Sequence, residues 1–146
     1  MKYTEYLAQI LNDYCPFCDM EHQFPIEQGK YCYVILARAP YTQNHLLVIP
    51  KRHVIHFQDL QQKEEKELWA LTDKRVKKLE TIHDACTLLL RNGFAGGKTS
   101  KSIDHLHLHI VPDCDIGAKD SDTRSIFSEK QYLGETKRIK EQFLKA

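Results

Sequence analysis

No apolar run in this chain is long enough to cross a bilayer; the longest are short stretches such as Leu88-Leu89-Leu90. The opening residues, MKYTEYLAQILNDY, lack the apolar core of a secretory signal. From these absences a cytoplasmic protein with no membrane partner is expected. Neither sign of charge is in excess. Lys plus Arg total 21 and Asp plus Glu total 20, for a net charge of +1. Such a chain has no global field to draw nucleic acid, so a bound anion must be held by local groups. The cysteines number five, and an odd count argues against a disulfide framework. No internal repeat or low-complexity segment is visible, and Trp69 is the one tryptophan. What remains is ordinary for one globular domain: 146 residues, 42% hydrophobic and 28% charged.

Periodicity predicts a short helix over residues 3–11, broken by the turn Cys15-Pro16-Phe17-Cys18. Residues 19–29 read as loop. Strands are predicted at 31–37 and 45–49, paired as a hairpin, and at 87–91 and 103–111. Between them Leu60, Leu68, Leu71, Val76, Leu79 and Ile82 recur at helical spacing, which predicts an amphipathic helix from Asp59, its candidate N-cap, to about Ala85. Residues 113–127 read as loop. A second helix is predicted over 128–144, with Gly134 costing it about 1 kcal/mol. The fold class is α+β, an antiparallel sheet with one long helix packed on it.

The most informative stretch is Asp104-His105-Leu106-His107-Leu108-His109-Ile110-Val111-Pro112. Side chains alternate along a strand, so His105, His107 and His109 share one face, with neighbours roughly 6–7 Å apart, while Leu106, Leu108 and Ile110 turn to the core. Packing alone gives no reason for three titratable imidazoles in a row. A neutral imidazole is a good nucleophile toward phosphorus, and its neighbours can orient it and donate protons to phosphate oxygens. A metal site on that face, or an exposed histidine-rich strand, are the alternatives. Residues 92–102, NGFAGGKTSKS, form a glycine-rich loop ahead of this strand. Glycines such as Gly97 let backbone N–H groups approach an anion, and Lys101 and Ser102 add donors. The segment is not a P-loop, because Asn92 stands where that motif needs glycine and a strand follows instead of a helix. Cys15 and Cys18 have zinc-knuckle spacing, which is half a metal site, or else a redox pair.

The pattern H-Φ-H-Φ-H-Φ-Φ resembles the signature of the histidine-triad (HIT) family of nucleotide hydrolases and transferases. The segment Asn44 to Val54, NHLLVIPKRHV, is similar to that family's upstream strand, and CPFC resembles the start of many bacterial members. The likeness covers about residues 10–112 of a single domain spanning 1–146, leaving 113–146 as a C-terminal extension. It implies a sheet of about five strands with one long helix and short terminal helices. It implies that His107 takes the nucleotidyl group from an α-phosphate, that His109 hydrogen-bonds a phosphate oxygen, and that His45 supports the triad. Asn92 and Ser102 match residues that hold the α-phosphate, and Lys101 stands near the family's glutamine.

The resemblance also implies a structural zinc ion on Cys15, Cys18, His53 and His105, with His22 in reserve, and no organic cofactor. His105 would thereby leave acid–base duty and position His107. The activity implied is hydrolysis of a dinucleoside polyphosphate or nucleotide phosphoramidate through a nucleotidyl-histidine. A transferase or phosphorylase of the same superfamily, and a zinc-stabilised nucleotide-binding protein with little turnover, are the alternatives. The partner is a small nucleotide, nucleic acid is not expected, and members are commonly homodimers. Two positions depart from the pattern. Ala37 stands where members carry the acid or amide that holds the ribose, which leaves Arg38 as the candidate, and Asp113 stands where many have Arg.

Overall fold

The computed structural model describes residues 1–2, 5, 14–96, 98–115 and 125–144. The helix expected over 3–11 and the loop residue Gly97 lie outside them.

Five antiparallel strands form one sheet: β1 (Glu27–Gln28), β2 (Cys32–Leu36), β3 (Leu46–Pro50), β4 (Cys86–Leu90) and β5 (Leu108–Pro112), in the order β1-β2-β3-β5-β4. Among the described residues two α-helices accompany them, α1 (Gln62–Leu79) and α2 (Glu129–Leu144). The β2–β3 hairpin has the expected pairing, with Val34 opposite Val48. The α+β class, the five strands and the long helix between β3 and β4 agree with the sequence reading.

Alternation divides the sheet into two buried faces. Cys32, Val34, Leu36, Leu46, Val48, Leu108 and Ile110 pack against Leu68, Leu71 and Leu79 of α1 and against Tyr132, Ile139 and Phe143 of α2. On the other face Tyr33, Ile35, Ala37, Leu47 and Ile49 are covered by Phe17 from the CPFC turn. Covering both faces explains why β2 and β3 read as continuous apolar runs. Tyr132 also donates its hydroxyl proton to the Leu36 carbonyl at 2.6 Å, which fixes α2 to the end of β2.

Several boundaries differ from the sequence reading. The long helix starts after Gln61, not Asp59. Arg52 grips Glu64 at 2.8 Å, and Glu64 in turn accepts the Gln61 N–H at 2.8 Å in a capping box. It ends at Leu79, with Glu80 as its C-cap, so Ile82 lies beyond it and is exposed. The final helix begins at Glu129 and runs through Gly134, where open space would admit a side chain. β1 falls within residues 19–29, where the sequence predicts a loop. The turn that joins it to β2 is held from α1: the Glu67 carboxylate accepts the N–H groups of Lys30, Tyr31 and Cys32 at 2.9, 2.5 and 2.5 Å. Gly29 leaves room for that carboxylate, since a Cβ there would collide with it. Glu27 is paired with Lys74 and with Arg75, whose guanidinium lies 2.7 Å away and is buried.

The largest correction concerns the histidine strand. Ladder pairing starts at Leu108, not Ile103: β4 ends at Leu90, opposite Leu108, and the chain before Leu108 bends away from Ile49 and Pro50 of β3. Residues 101–107 instead follow a bent path, tied by the Leu106 N–H to the Val54 carbonyl at 2.7 Å.

Candidate active site

The bend before β5 separates the three histidines. His109 lies in the strand opposite Leu47, so it faces the Phe17 side of the sheet. His107 sits just before it, with ring centroids 4.9 Å apart. His105 turns away toward the CPFC turn. Phe17 packs against both departing rings, edge-on to His105 at 5.8 Å and to His107 at 5.1 Å.

Backbone groups settle where the ring protons sit. The His107 Nδ1 lies 2.7 Å from the carbonyl of His105, which can only accept. Nδ1 therefore carries the proton, and Nε2 keeps its lone pair. Burial pushes the His107 pKa down to about 4, so the ring is neutral at physiological pH. His45 and His109 are ordered by a chain that starts at a backbone donor. The Tyr41 N–H donates to His45 Nδ1 at 3.1 Å, so His45 Nε2 bears the proton and donates to His109 Nδ1 at 2.9 Å. His109 Nε2 is left as an N–H donor. The result is a nucleophilic lone pair on one imidazole and an anion-binding donor on the next.

A cleft open to solvent lies over these groups. His45, His107 and His109 line it together with an apolar wall that includes Phe17, Ile35, Ala37 and Leu47.

His105 serves a different cluster. Its Nε2 donates to the Pro50 carbonyl at 2.7 Å, which turns the Nδ1 lone pair toward Cys15 Sγ at 3.3 Å and Cys18 Sγ at 3.5 Å. His53 Nδ1 lies 3.3 Å from Cys18 Sγ. One donor atom from each of Cys15, Cys18, His53 and His105 falls within 4.8 Å of the others. A tetrahedral ion with ordinary metal–sulfur and metal–nitrogen bonds needs S···N edges of about 3.5 Å. The donor set therefore fits such an ion, with the Pro50 carbonyl orienting one imidazole from behind. Only a 3-10 turn at 20–22 follows the cysteine pair, so the helix N-terminus of a redox pair is lacking. His22 is engaged with Asp19 at 2.7 Å instead.

The loop residues occupy other positions. Asn92 accepts the Phe57 N–H at 2.8 Å and donates to Gln58 at 3.0 Å. Lys101 is 2% exposed, and its ammonium donates to the carbonyls of Gly93 at 2.7 Å and Ile55 at 3.1 Å, strapping the loop to the segment after β3. Burial lowers its pKa. Asn92, Lys101 and Ser102 are not among the side chains lining the cleft, whereas Arg38 is. The Arg38 guanidinium donates to the His22 carbonyl at 2.6 Å and lies over the Tyr132 ring at 4.3 Å.

A second polar chain adjoins the site and was not anticipated. Asn44 holds a left-handed φ of 69° immediately before His45. Its Oδ1 accepts from Arg138 of α2 at 2.8 Å, and its Nδ2 donates to His83 Nε2 at 2.8 Å. His83 Nδ1 then donates to Asp113 at 2.9 Å, and this hydrogen bond holds the Asp113 carboxyl below the usual carboxylate range. Asp113 also accepts the Asp84 N–H at 3.0 Å. A polar residue before the first motif histidine was the signal available; its partners are 39 and 94 positions away.

Comparison with known proteins places this geometry. An AP-4-A phosphorylase of Mycobacterium tuberculosis is 34% identical over 95 residues, covering 63% of this chain and 47% of the relative. A bifunctional bis(5'-adenosyl)-triphosphatase/adenylylsulfatase FHIT of Arabidopsis thaliana is 38% identical over 82 residues, covering 55% and 44% respectively. The chain thus spans about half the length of these curated relatives. A crystal structure of a Zn-bound histidine triad family protein from Mycobacterium smegmatis superposes with a TM-score of 0.68 at 19% identity, covering 90% of this chain and 94% of the other. The likeness at that identity is one of fold. The HIT domain family model matches residues 21–115, from the 3-10 turn after CPFC to the segment past Pro112, and the chain accordingly belongs to the HIT family.

Proposed function

We infer that this protein is a nucleotide hydrolase acting at the α-phosphate of a nucleoside phosphate derivative through covalent attachment to His107. The observation carrying this reading is the paired tautomers: a buried neutral His107 whose Nε2 carries a lone pair, beside His109 whose Nε2 carries a proton. His107 Nε2 attacks the α-phosphorus, an N–P bond forms, and the bond from phosphorus to the leaving group breaks. The His109 N–H donates to a non-bridging oxygen, where negative charge builds. Water then attacks the same phosphorus, the N–P bond breaks, and a nucleoside monophosphate leaves. Inorganic phosphate in place of water would make the enzyme a phosphorylase, and the relatives named for both activities support either acceptor.

Zinc is the ion best suited to two thiolates and two imidazoles. With four protein ligands and no open position, it would tie the CPFC turn to the segment before β5 and take no part in the reaction. The substrate is a small nucleotide, and the family resemblance carries the expectation of a homodimer. The edge strand β4, with Leu88 exposed, is the available surface for a second copy.

The test is rapid quench of the protein with adenosine 5'-phosphoramidate and with a dinucleoside polyphosphate, followed by intact mass. A mass gain of one nucleotidyl group, absent in His107→Ala, is expected. Turnover that survives in His107→Ala would remove the assignment, and binding without turnover in the wild type would favour a nucleotide-binding protein. Product analysis with and without added phosphate separates hydrolase from phosphorylase.

A further inference from the structure

Gln23 follows the 3-10 turn and lines the same cleft as His107, Ala37 and Leu47. It is 6% exposed. Its Nε2 donates to the Pro16 carbonyl at 2.7 Å, and a carbonyl cannot donate, so the orientation of the amide is settled. Oε1 is therefore the other end, a buried acceptor with no hydrogen-bond partner among the described residues. A buried carbonyl left unsatisfied costs folding energy, and such groups call for an explanation. The neighbouring wall supplies no side-chain donor: Phe17, Ile35, Ala37, Ala39 and Leu47 are apolar. Arg38 is engaged by the His22 carbonyl and the face of Tyr132.

We propose that Gln23 is a specificity-determining residue whose Oε1 accepts a hydrogen bond from a sugar hydroxyl of the bound nucleotide. The proposal rests on the nucleotide reading above. Pro16, which holds the Gln23 amide, directly precedes Phe17, whose ring packs on His107. With the α-phosphorus at His107 Nε2, the next group along the substrate is the sugar, and the base lies beyond it. A sugar hydroxyl offers the donor that Oε1 lacks, and Ala37 beside it offers no competing acceptor.

The experiment compares kcat/KM for adenosine 5'-phosphoramidate and its 2'-deoxy and 3'-deoxy analogues, in wild type, Gln23→Met and Gln23→Glu. Wild type should favour the ribonucleotide over at least one deoxy analogue by about tenfold, the discrimination expected of one buried hydrogen bond. Gln23→Met should lower the ribonucleotide value by about the same factor and leave that deoxy value unchanged, erasing the preference. Gln23→Glu, which keeps an acceptor but loses the donor to Pro16, should retain the ribonucleotide preference even where activity falls on all three substrates. An equal loss on all three substrates in Gln23→Met would mean that Gln23 only braces the CPFC turn, and would overturn the proposal while leaving the nucleotide reading intact. Failure of the wild type to bind or turn over any of the three would overturn both.

Discussion

Asn44 offers a clean separation of backbone strain from hydrogen bonding. Replacing it with Gly removes the bonds to Arg138 and His83 but accepts the φ of 69° without penalty. Each bond is worth about 1 kcal/mol net, the Arg138 one discounted for its partly exposed guanidinium, so Asn44→Gly should cost about 2 kcal/mol. Asn44→Ala loses the same bonds and also forces a Cβ into left-handed space, which adds about 1 kcal/mol beyond Gly. Urea unfolding should therefore rank wild type above Gly above Ala at constant m-value. Because Arg138 and Asn44 share one bond, the double variant Asn44→Gly/Arg138→Ala should lose about 1 kcal/mol less than the two single losses added together. Equal stability of the Gly and Ala variants would refute the strain argument. Strict additivity would refute the link from α2 to the residue before His45.

Other consequences are open to measurement. Metal analysis should find one zinc per chain, and prolonged chelation should lower Tm by about 10 °C, with no further drop in Cys15→Ser; an unchanged Tm would argue against a structural ion. Gly29→Ala and Glu67→Ala should each destabilise by about 2 kcal/mol, and the double variant no more than either, because both break the same carboxylate clamp. Burial raises the Glu27 pKa, but hydrogen bonds from Lys74 and Arg75 outweigh it and hold it low. Its stabilising effect is thus present above its unfolded pKa and fades as pH falls through the lowered folded value. The gap between wild type and Glu27→Gln, about 3 kcal/mol at pH 7, should shrink on acidification below about pH 4 when followed by urea unfolding. Leu88→Arg, at the exposed centre of the edge strand, should yield a monomer by light scattering if β4 joins two copies.

What was legible in the sequence was whatever depends on near neighbours. The apolar runs of β2 and β3, the helical spacing of Leu68, Leu71 and Leu79, and the role of Pro50 as a terminator all act over a few residues. The Cys15, Cys18, His53 and His105 cluster came from family resemblance rather than spacing, and the fold assembles those four side chains. What escaped depends on contacts across the chain. β1 is too short to announce itself; Arg75 of α1 pairs with its Glu27, and Glu67 clamps the turn that follows it. The three histidines do share the Phe17 side, but the strand begins only at Leu108, because β4 ends opposite that residue and the preceding chain bends to bond Val54 through Leu106. Gln23 and His83 carry no local pattern, and only their tertiary partners reveal them. Lys101, read as an anion contact, is a buried loop strap because two carbonyls face its ammonium.

The groups that decide which nitrogen carries each proton are peptide atoms: the carbonyl of Pro50 for His105, the carbonyl of His105 for His107 and the amide of Tyr41 for His45. No codon change deletes a peptide oxygen, and short of proline none deletes a peptide hydrogen. The assignment of acid and base in this cleft is consequently shielded from genetic drift at the orienting positions, as long as the bend at 105–107 keeps its shape. Residue 50 can change identity, and residue 41 can become anything but proline, without rewriting the proton map.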